Sequence, residues 1–79
     1  MNQEVRFDDV CEVENIKTGQ TVTGEILTFR EEEFISLTIN RAVKLRLNWN
    51  ERAQLYIGSM AGMEFQSEGP RAYTYRTGR

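Results

Sequence analysis

Residues 43–49 alternate strictly between apolar and polar side chains, and no other feature of the chain constrains its fold as strongly. The apolar positions are Val43, Leu45, Leu47 and Trp49, and the residues between them are Lys44, Arg46 and Asn48. Successive side chains of a β-strand point to opposite faces of the sheet, so this pattern predicts a strand with one apolar and one solvated face.

Further segments have the composition of strands and are bounded by turn residues. Segment 34–39 is β-branched and aromatic, and Asn40 with Arg41 after it predicts a tight hairpin turn, because asparagine tolerates a positive φ. Gly24 inside segment 20–29 indicates a bulge or a sharp bend. The strands predicted in this way are segments 9–16, 20–29, 34–39, 43–49 and 63–67.

Segment 50–62 has two interpretations. In one, Asn50 caps a single helical turn that Gly58 ends. In the other, residues 50–52 form a turn and residues 54–57 form a strand that pairs back onto segment 43–49. The hairpin is the interpretation we favour.

These segments predict an all-β fold, a small bent barrel of about five strands, SH3-like or Sm-like. Gly69 and Pro70 indicate the end of regular structure. We therefore expect one barrel domain over residues 1–69 and a basic, tyrosine-containing tail over residues 70–79. Pairing between edge strands is the expected route to an oligomer.

Composition excludes several functional classes. The 79 residues contain no histidine and one cysteine, which removes Ser-His-Asp and Cys-His nucleophiles, His-bearing zinc sites and internal disulfides. Cys11 is expected to be a small core residue. No carboxylate pair or glycine-rich phosphate loop replaces the missing groups. We expect a protein that is not an enzyme and has no metal and no cofactor.

The chain also lacks recognisable signals for export or membrane insertion. Residues 1–4 do not resemble a signal peptide, and no apolar run approaches the ~20 residues that a membrane helix needs. A single cysteine fits a reducing compartment. The expected location is the cytoplasm, without a membrane partner.

Charge is distributed unevenly along the chain. Residues 1–35 carry nine acids and three bases, a balance of −6, whereas residues 36–79 carry three acids and seven bases, a balance of +4. This asymmetry indicates either an acidic and a basic face or strands that interleave and mix their charges. The three glutamates at 31–33 predict a solvated turn and not a Mg²⁺ site, because neighbouring strand residues point to opposite faces.

Segment 19–29 resembles the first sequence motif of Sm-like (Hfq-type) proteins, with Gly19, Val22, Gly24, Ile26 and Phe29 at the family's spacing. The resemblance implies a small bent barrel, and in the family such barrels form rings that bind RNA. Arg30 stands where the family has an aspartate, and Ser36 is the nearest residue to its RNA-contacting asparagine. The resemblance therefore supports the barrel more than the RNA contact.

The tail combines arginines, which pair with phosphates, and tyrosines, which offer stacking faces for bases. Alternatively, Tyr73 and Tyr75 form a last edge strand. The acidic pI of about 5.1 argues against a general binder of nucleic-acid backbones. The candidate residues for contact with a nucleic acid or nucleotide are Arg30, Lys44, Arg46, Arg71, Tyr73, Tyr75 and Arg76.

A second candidate surface is an adaptable apolar patch for a protein partner, although core packing explains its residues equally well. The members of this patch are Trp49, Tyr56, Met60 and Met63. The sequence thus predicts a non-enzymatic binding module that acts on a protein partner, as adaptor or inhibitor, and self-associates. Its size and charge are similar to those of phage and mobile-element proteins, including anti-defence factors. The alternative is an oligomeric barrel that binds RNA, single-stranded nucleic acid or a cyclic nucleotide.

Overall fold

A computed structural model of the chain describes the backbone of residues 2–77 and the side chains of residues 5–73. This described part is all-β. Its strands are β1 (Asn2–Phe7), β2 (Val10–Asn15), β3 (Thr21–Arg30), β4 (Phe34–Ile39), β5 (Val43–Asn50), β6 (Leu55–Met60), β7 (Met63–Ser67) and β8 (Ala72–Thr77).

Within the described residues, strands β2 to β7 form a closed barrel in which each strand pairs with the next and β7 returns to β2. All of these pairs are antiparallel. The prediction of a small all-β barrel is confirmed, but the expected number of about five strands is wrong, since six close it. The sixth is the complete strand β6, because segment 50–62 forms the hairpin, with Trp49 opposite Tyr56.

Two of the hairpin turns contain consecutive residues with a positive φ. Asn40 and Arg41 have φ values of 55° and 58°, and the predicted hairpin turn between β4 and β5 is confirmed. Ala61 and Gly62 form a two-residue turn, with φ values of 53° and 78°, between the paired residues Met60 and Met63. Both positive φ values match the right-handed twist of the flanking strands.

The barrel interior is filled by the apolar face that alternation predicts. In β5, Leu45 and Leu47 are buried, whereas Lys44, Arg46 and Asn48 between them are exposed. Burial of this kind stabilises the fold by about 25 cal/mol per Å² of apolar area. The buried hydrophobic residues are Cys11, Val13, Ile35, Leu37, Leu45, Leu47, Tyr56 and Phe65.

Two glycines allow neighbouring barrel strands to pack closely. A Cβ at Gly58 would clash with the carbonyl oxygen of Arg46, and one at Gly24 would lie 2.9 Å from Cδ1 of Leu37. The bulge that Gly24 was expected to mark lies three residues later, where the register shifts between Ile26 and Thr28. Gly24 therefore allows the Leu37 side chain to pack closely against the backbone of β3, and Leu27 at the bulge is exposed.

Strands β1 and β8 pair with each other as a two-stranded ribbon outside the barrel. The sequence did not predict the strand β1, and it left the residues beyond Pro70 as either a tail or a last edge strand. The alternative in which the tail forms a strand matches residues 72–77. A hydrogen bond from the Asp8 N–H to the Arg71 carbonyl (3.0 Å) extends the ribbon by one step beyond Phe7 and Ala72. The ribbon packs on the barrel through Phe7 of β1, whose ring centroid lies 4.9 Å from that of Phe29 in β3.

No helix in the described residues is long and apolar enough to span a membrane.

Candidate functional site

The seam between β2 and β7 is the least regular part of the barrel wall. Its ladder pairs Glu14 with Gln66 and Asn15 with Phe65. Beyond Glu14 the two strands diverge, and a side chain replaces the backbone ladder: Ser67 Oγ donates to the carbonyl of Glu12 at 2.6 Å. The same oxygen accepts from the Gly69 N–H at 3.0 Å. The Ser67 side chain thus connects β2 and β7 where their backbone ladder ends, and a gap remains between the two strands on the outer surface of the barrel.

A groove of about 700 Å³ lies along this opening. One side is the outer surface of β2 and β3, and the other is the segment that leaves β7 and crosses to β8. The residues that line it are Asp8, Val10, Cys11, Glu12, Glu14, Thr21, Thr23, Leu55, Gln66, Ser67, Glu68, Gly69, Pro70 and Arg71. We call it the acidic groove.

Negative charge dominates the acidic groove. Among the described residues that line it, Asp8, Glu12, Glu14 and Glu68 carry carboxylates, and Arg71 carries the one guanidinium. Glu14 is oriented by Gln66, whose Nε2 donates to Oε1 at 2.8 Å across the seam. A low-dielectric wall beside clustered carboxylates concentrates a negative potential, which attracts cationic groups.

The far side of the acidic groove is rigid because of the path of the chain after β7. Gly69 has a φ of +94°, and a Cβ there would lie 2.9 Å from Cε1 of Tyr56, so the chain turns closely over this buried ring. Pro70, next in the chain, is buried. Tyr56 is itself fixed, because its hydroxyl accepts a hydrogen bond from the Glu32 N–H at 2.8 Å.

The thiol of Cys11 lies at the base of the acidic groove. Burial raises the pKa of this thiol above its ordinary value, and its hydrogen bond with Ser67 lowers it by a smaller amount. Nucleophilic cysteines need the thiolate form, so a buried neutral thiol fits the core role predicted for it. Among the described residues, no cluster of three or more cysteine, aspartate or glutamate side chains is placed to hold a metal ion.

A second surface, which we call the basic wall, lies on the outer face of β3, β4 and β5. Arg30 pairs with Phe34 across β3 and β4. The guanidinium of Arg46 lies over the ring of Phe34, 4.1 Å from its centroid, and Lys44 follows two residues away on the same face of β5. The strands thus place three of the predicted contact residues on one face, where Arg46 covers an aromatic ring that the sequence analysis did not select.

The other predicted contact residues lie elsewhere. Arg71 lines the acidic groove, and Tyr73 is on β8 with its side chain exposed. Tyr75 and Arg76 also belong to β8, but their side chains lie outside the described residues. The predicted nucleic-acid surface is therefore divided between the barrel wall and the ribbon.

The predicted apolar patch is divided too. Tyr56 is buried, with its ring 4.8 Å from that of Trp49. Trp49 and Met60 pack against the core, whereas Met63 is 42% exposed. Core packing therefore accounts for Trp49, Tyr56 and Met60, and Met63 alone of this set is well exposed.

Four carboxylates line the acidic groove, and three cations lie on the basic wall, but the other described charges are distributed over the rest of the surface. Mixing occurs at Glu25, whose carboxylate lies 3.6 Å from Nε of Arg41. Since both groups are largely exposed, this ion pair contributes little to stability.

Comparison of the chain with protein-family models, curated proteins and solved structures returned no match. The class that the geometry itself defines is a small, closed, six-stranded antiparallel barrel with an external two-stranded ribbon.

Proposed function

We propose that this protein is a non-enzymatic binding module that holds a basic, extended segment of a partner protein in the acidic groove. The observation that carries the proposal is the lining of this groove, which contains four carboxylates and a single guanidinium. Such a module acts as an adaptor or as an inhibitor, because occupation of the groove either recruits the partner or blocks the segment that it holds.

Strand addition beside β2 is the binding mode that we propose. The backbone groups of alternate residues in an antiparallel strand bond to opposite neighbours. On the β3 side, the Asn15 N–H donates to the Gln20 carbonyl, and the Asp9 carbonyl accepts from the Ile26 N–H. The backbone N–H and carbonyl of Val10 and the N–H of Glu12 then face the acidic groove, whereas the Glu12 carbonyl already accepts from Ser67 Oγ. An extended segment placed there gains backbone hydrogen bonds, and its cationic side chains meet the carboxylates.

Binding to labelled peptides tests this proposal. We expect a short peptide of alternating lysine and valine to bind, and its counterpart with glutamate in place of lysine to fail. Affinity for the lysine peptide should fall with added salt, because the Debye length shortens from about 30 Å at 0.01 M to about 8 Å at 0.15 M. A single-stranded RNA oligonucleotide in the same assay tests the alternative function at the basic wall.

Two double variants with equal net charge separate location from total charge. Glu12→Gln/Glu68→Gln removes two carboxylates from the acidic groove, and Glu31→Gln/Glu33→Gln removes two from an exposed turn. We expect the first to weaken peptide binding about tenfold, as two lost ion pairs imply, and the second to have little effect. Equal effects of the two variants, or preference for the RNA, would contradict the proposal.

Self-association through the ribbon is a second proposal. In the described chain, β1 and β8 each pair only with the other, so each has one open edge, and Val5 on β1 is 63% exposed. An isolated two-stranded ribbon is marginally stable in water. Mass measurement in solution should give an oligomer for the full chain and a monomer for residues 1–70. A monomeric full chain would refute self-association through the ribbon.

Kinship with Sm-like or SH3-like barrels belongs to the proposal as well. It is supported by the spacing of Gly19, Val22 and Gly24 and by the register shift after Ile26 in strand β3. An experimental structure with six barrel strands in the same order, compared strand by strand with such barrels, would decide this kinship.

A further inference from the structure

The end of the barrel that carries the β2–β3, β4–β5 and β6–β7 turns contains an apolar cavity of about 240 Å³. This cavity, which we call the mouth, is separate from the acidic groove. Its lining residues are Val13, Asn15, Gln20, Val22, Ile39, Val43, Met60, Met63 and Phe65.

The residues at the base of the mouth are buried, and those at its edge are exposed. Val13 and Phe65 are buried at its base, whereas Val22 and Met63 are each 42% exposed at its edge. Contact with a ligand would remove these rim side chains from water. Met60 and Met63 have flexible side chains that adapt to the shape of a ligand.

A hydrogen-bond donor is fixed at the edge of this apolar surface. Asn15 Oδ1 accepts from the N–H groups of Lys17 (3.0 Å) and Thr18 (3.3 Å), which sets the orientation of the amide. Nδ2 then points away from the turn, and its partner is the Sδ atom of Met63 at 3.6 Å. A thioether sulfur is a weak acceptor, so an oxygen acceptor would bind this donor more strongly.

We propose that the mouth binds a small, neutral, largely apolar molecule whose carbonyl oxygen accepts a hydrogen bond from Asn15 Nδ2. Neutral ligands are favoured because none of the described residues that line the mouth is charged. The volume sets the size: a cavity of about 150 Å³ holds benzene, so 240 Å³ accommodates an aromatic ring with a short substituent.

Acetophenone and isopropylbenzene are suitable probes, because they have nearly the same shape and only the first carries an acceptor. Titration of the full chain, followed by NMR signals of the Asn15 side-chain amide and of the Val22 and Val43 backbone, measures both affinities. We expect both compounds to shift these signals and acetophenone to bind about tenfold more tightly, as one added hydrogen bond implies. Absence of shifts at the mouth overturns the site, and equal affinities overturn carbonyl recognition.

Two variants test the donor and the location separately. Asn15→Asp keeps an acceptor for the Lys17 and Thr18 N–H groups but loses the donor, so acetophenone should lose its advantage over isopropylbenzene. Val22→Phe fills the rim at an exposed position and should abolish binding of both. Undiminished binding to Val22→Phe would place the ligand elsewhere, and an unchanged ratio in Asn15→Asp would exclude this amide as the donor.

Discussion

Ser67 Oγ donates a hydrogen bond of 2.6 Å to the backbone carbonyl of Glu12 at the point where β2 and β7 part. The two residues are 55 positions apart in the chain, and their contact joins the last barrel strand to the first. It also sets the width of the acidic groove, because the segment from Ser67 to Arg71 forms one side and β2 the other.

Ser67→Ala should destabilise the barrel by about 1 to 2 kcal/mol, because the Glu12 carbonyl and the Gly69 N–H both lose their partner. For a domain of this size each kcal/mol lowers Tm by about 4 to 8 °C. Urea unfolding measures the change, and Ser59→Ala, at an exposed position of β6, is the control. Equal stabilities of the two variants would show that the seam does not depend on this bond.

Gly58→Ala should be more destabilising than Gly24→Ala. The added Cβ meets the backbone oxygen of Arg46 at Gly58, but the end of the flexible Leu37 side chain at Gly24. Backbone movement is the costlier response, so we expect a loss of about 1 to 3 kcal/mol at Gly58 and a smaller one at Gly24. Thermal unfolding of both variants provides the comparison, and the reverse order would be inconsistent with the close approach of β5 and β6.

Stability should decline in alkaline solution because of two buried acids. Burial raises the pKa of the Cys11 thiol from 9.0, with the Ser67 hydrogen bond opposing it. Burial, with the charges of Glu31 and Glu32, also raises the pKa of the Tyr56 hydroxyl from 10.0, against the hydrogen bond from the Glu32 N–H. The unfolded chain then releases these protons at lower pH than the folded chain, which favours unfolding.

This contribution to stability is complete below about pH 8 and decreases as pH rises through the unfolded-state values and towards the folded ones. The measurement is the urea midpoint at neutral pH and at about pH 10.5, for the natural chain and for Cys11→Ala/Tyr56→Phe. The urea midpoint of the double variant should fall less between neutral pH and the alkaline condition than that of the natural chain. An identical loss would show that other groups cause the alkaline decline.

Truncation after Pro70 should leave the barrel folded and release β1. Strand β8 is the partner of β1 within the described chain, whereas the barrel closes without either strand. We expect cooperative unfolding with a Tm lower by a few degrees, and faster amide exchange in residues 2–7. Phe7→Ala in the full chain controls for the lost packing on Phe29. A truncated chain that fails to fold would contradict this prediction and show that the barrel needs the ribbon to be stable.

Local patterns were sufficient for the strands whose two faces differ, as in Val43–Asn50, and for turns such as Asn40 with Arg41. They failed for β1, since the apolar alternation in Asn2–Phe7 is limited to Val5 and Phe7, and its pairing with β8 joins opposite ends of the chain. Such long-range pairing leaves no mark at spacings of a few residues.

The candidate site was partly visible in the sequence. The excess of acids over residues 1–35 left open either an acidic face or strands that mix their charges, and Glu12 and Glu14 from that half line the acidic groove. The opposite side, formed by residues 66–71, becomes its neighbour only through barrel closure. The basic wall likewise depends on register, because Phe34 meets Arg46 only when β4 and β5 pair as they do.

NMR mapping of the lysine–valine peptide on the isotope-labelled full chain tests the central claim most directly. Strand addition in the acidic groove predicts that the largest amide shifts occur in residues 10–14 and 66–71, and that amides of the basic wall at Arg30, Lys44 and Arg46 stay unchanged. Largest shifts on the basic wall, or none along the acidic groove at saturating peptide, would contradict the account.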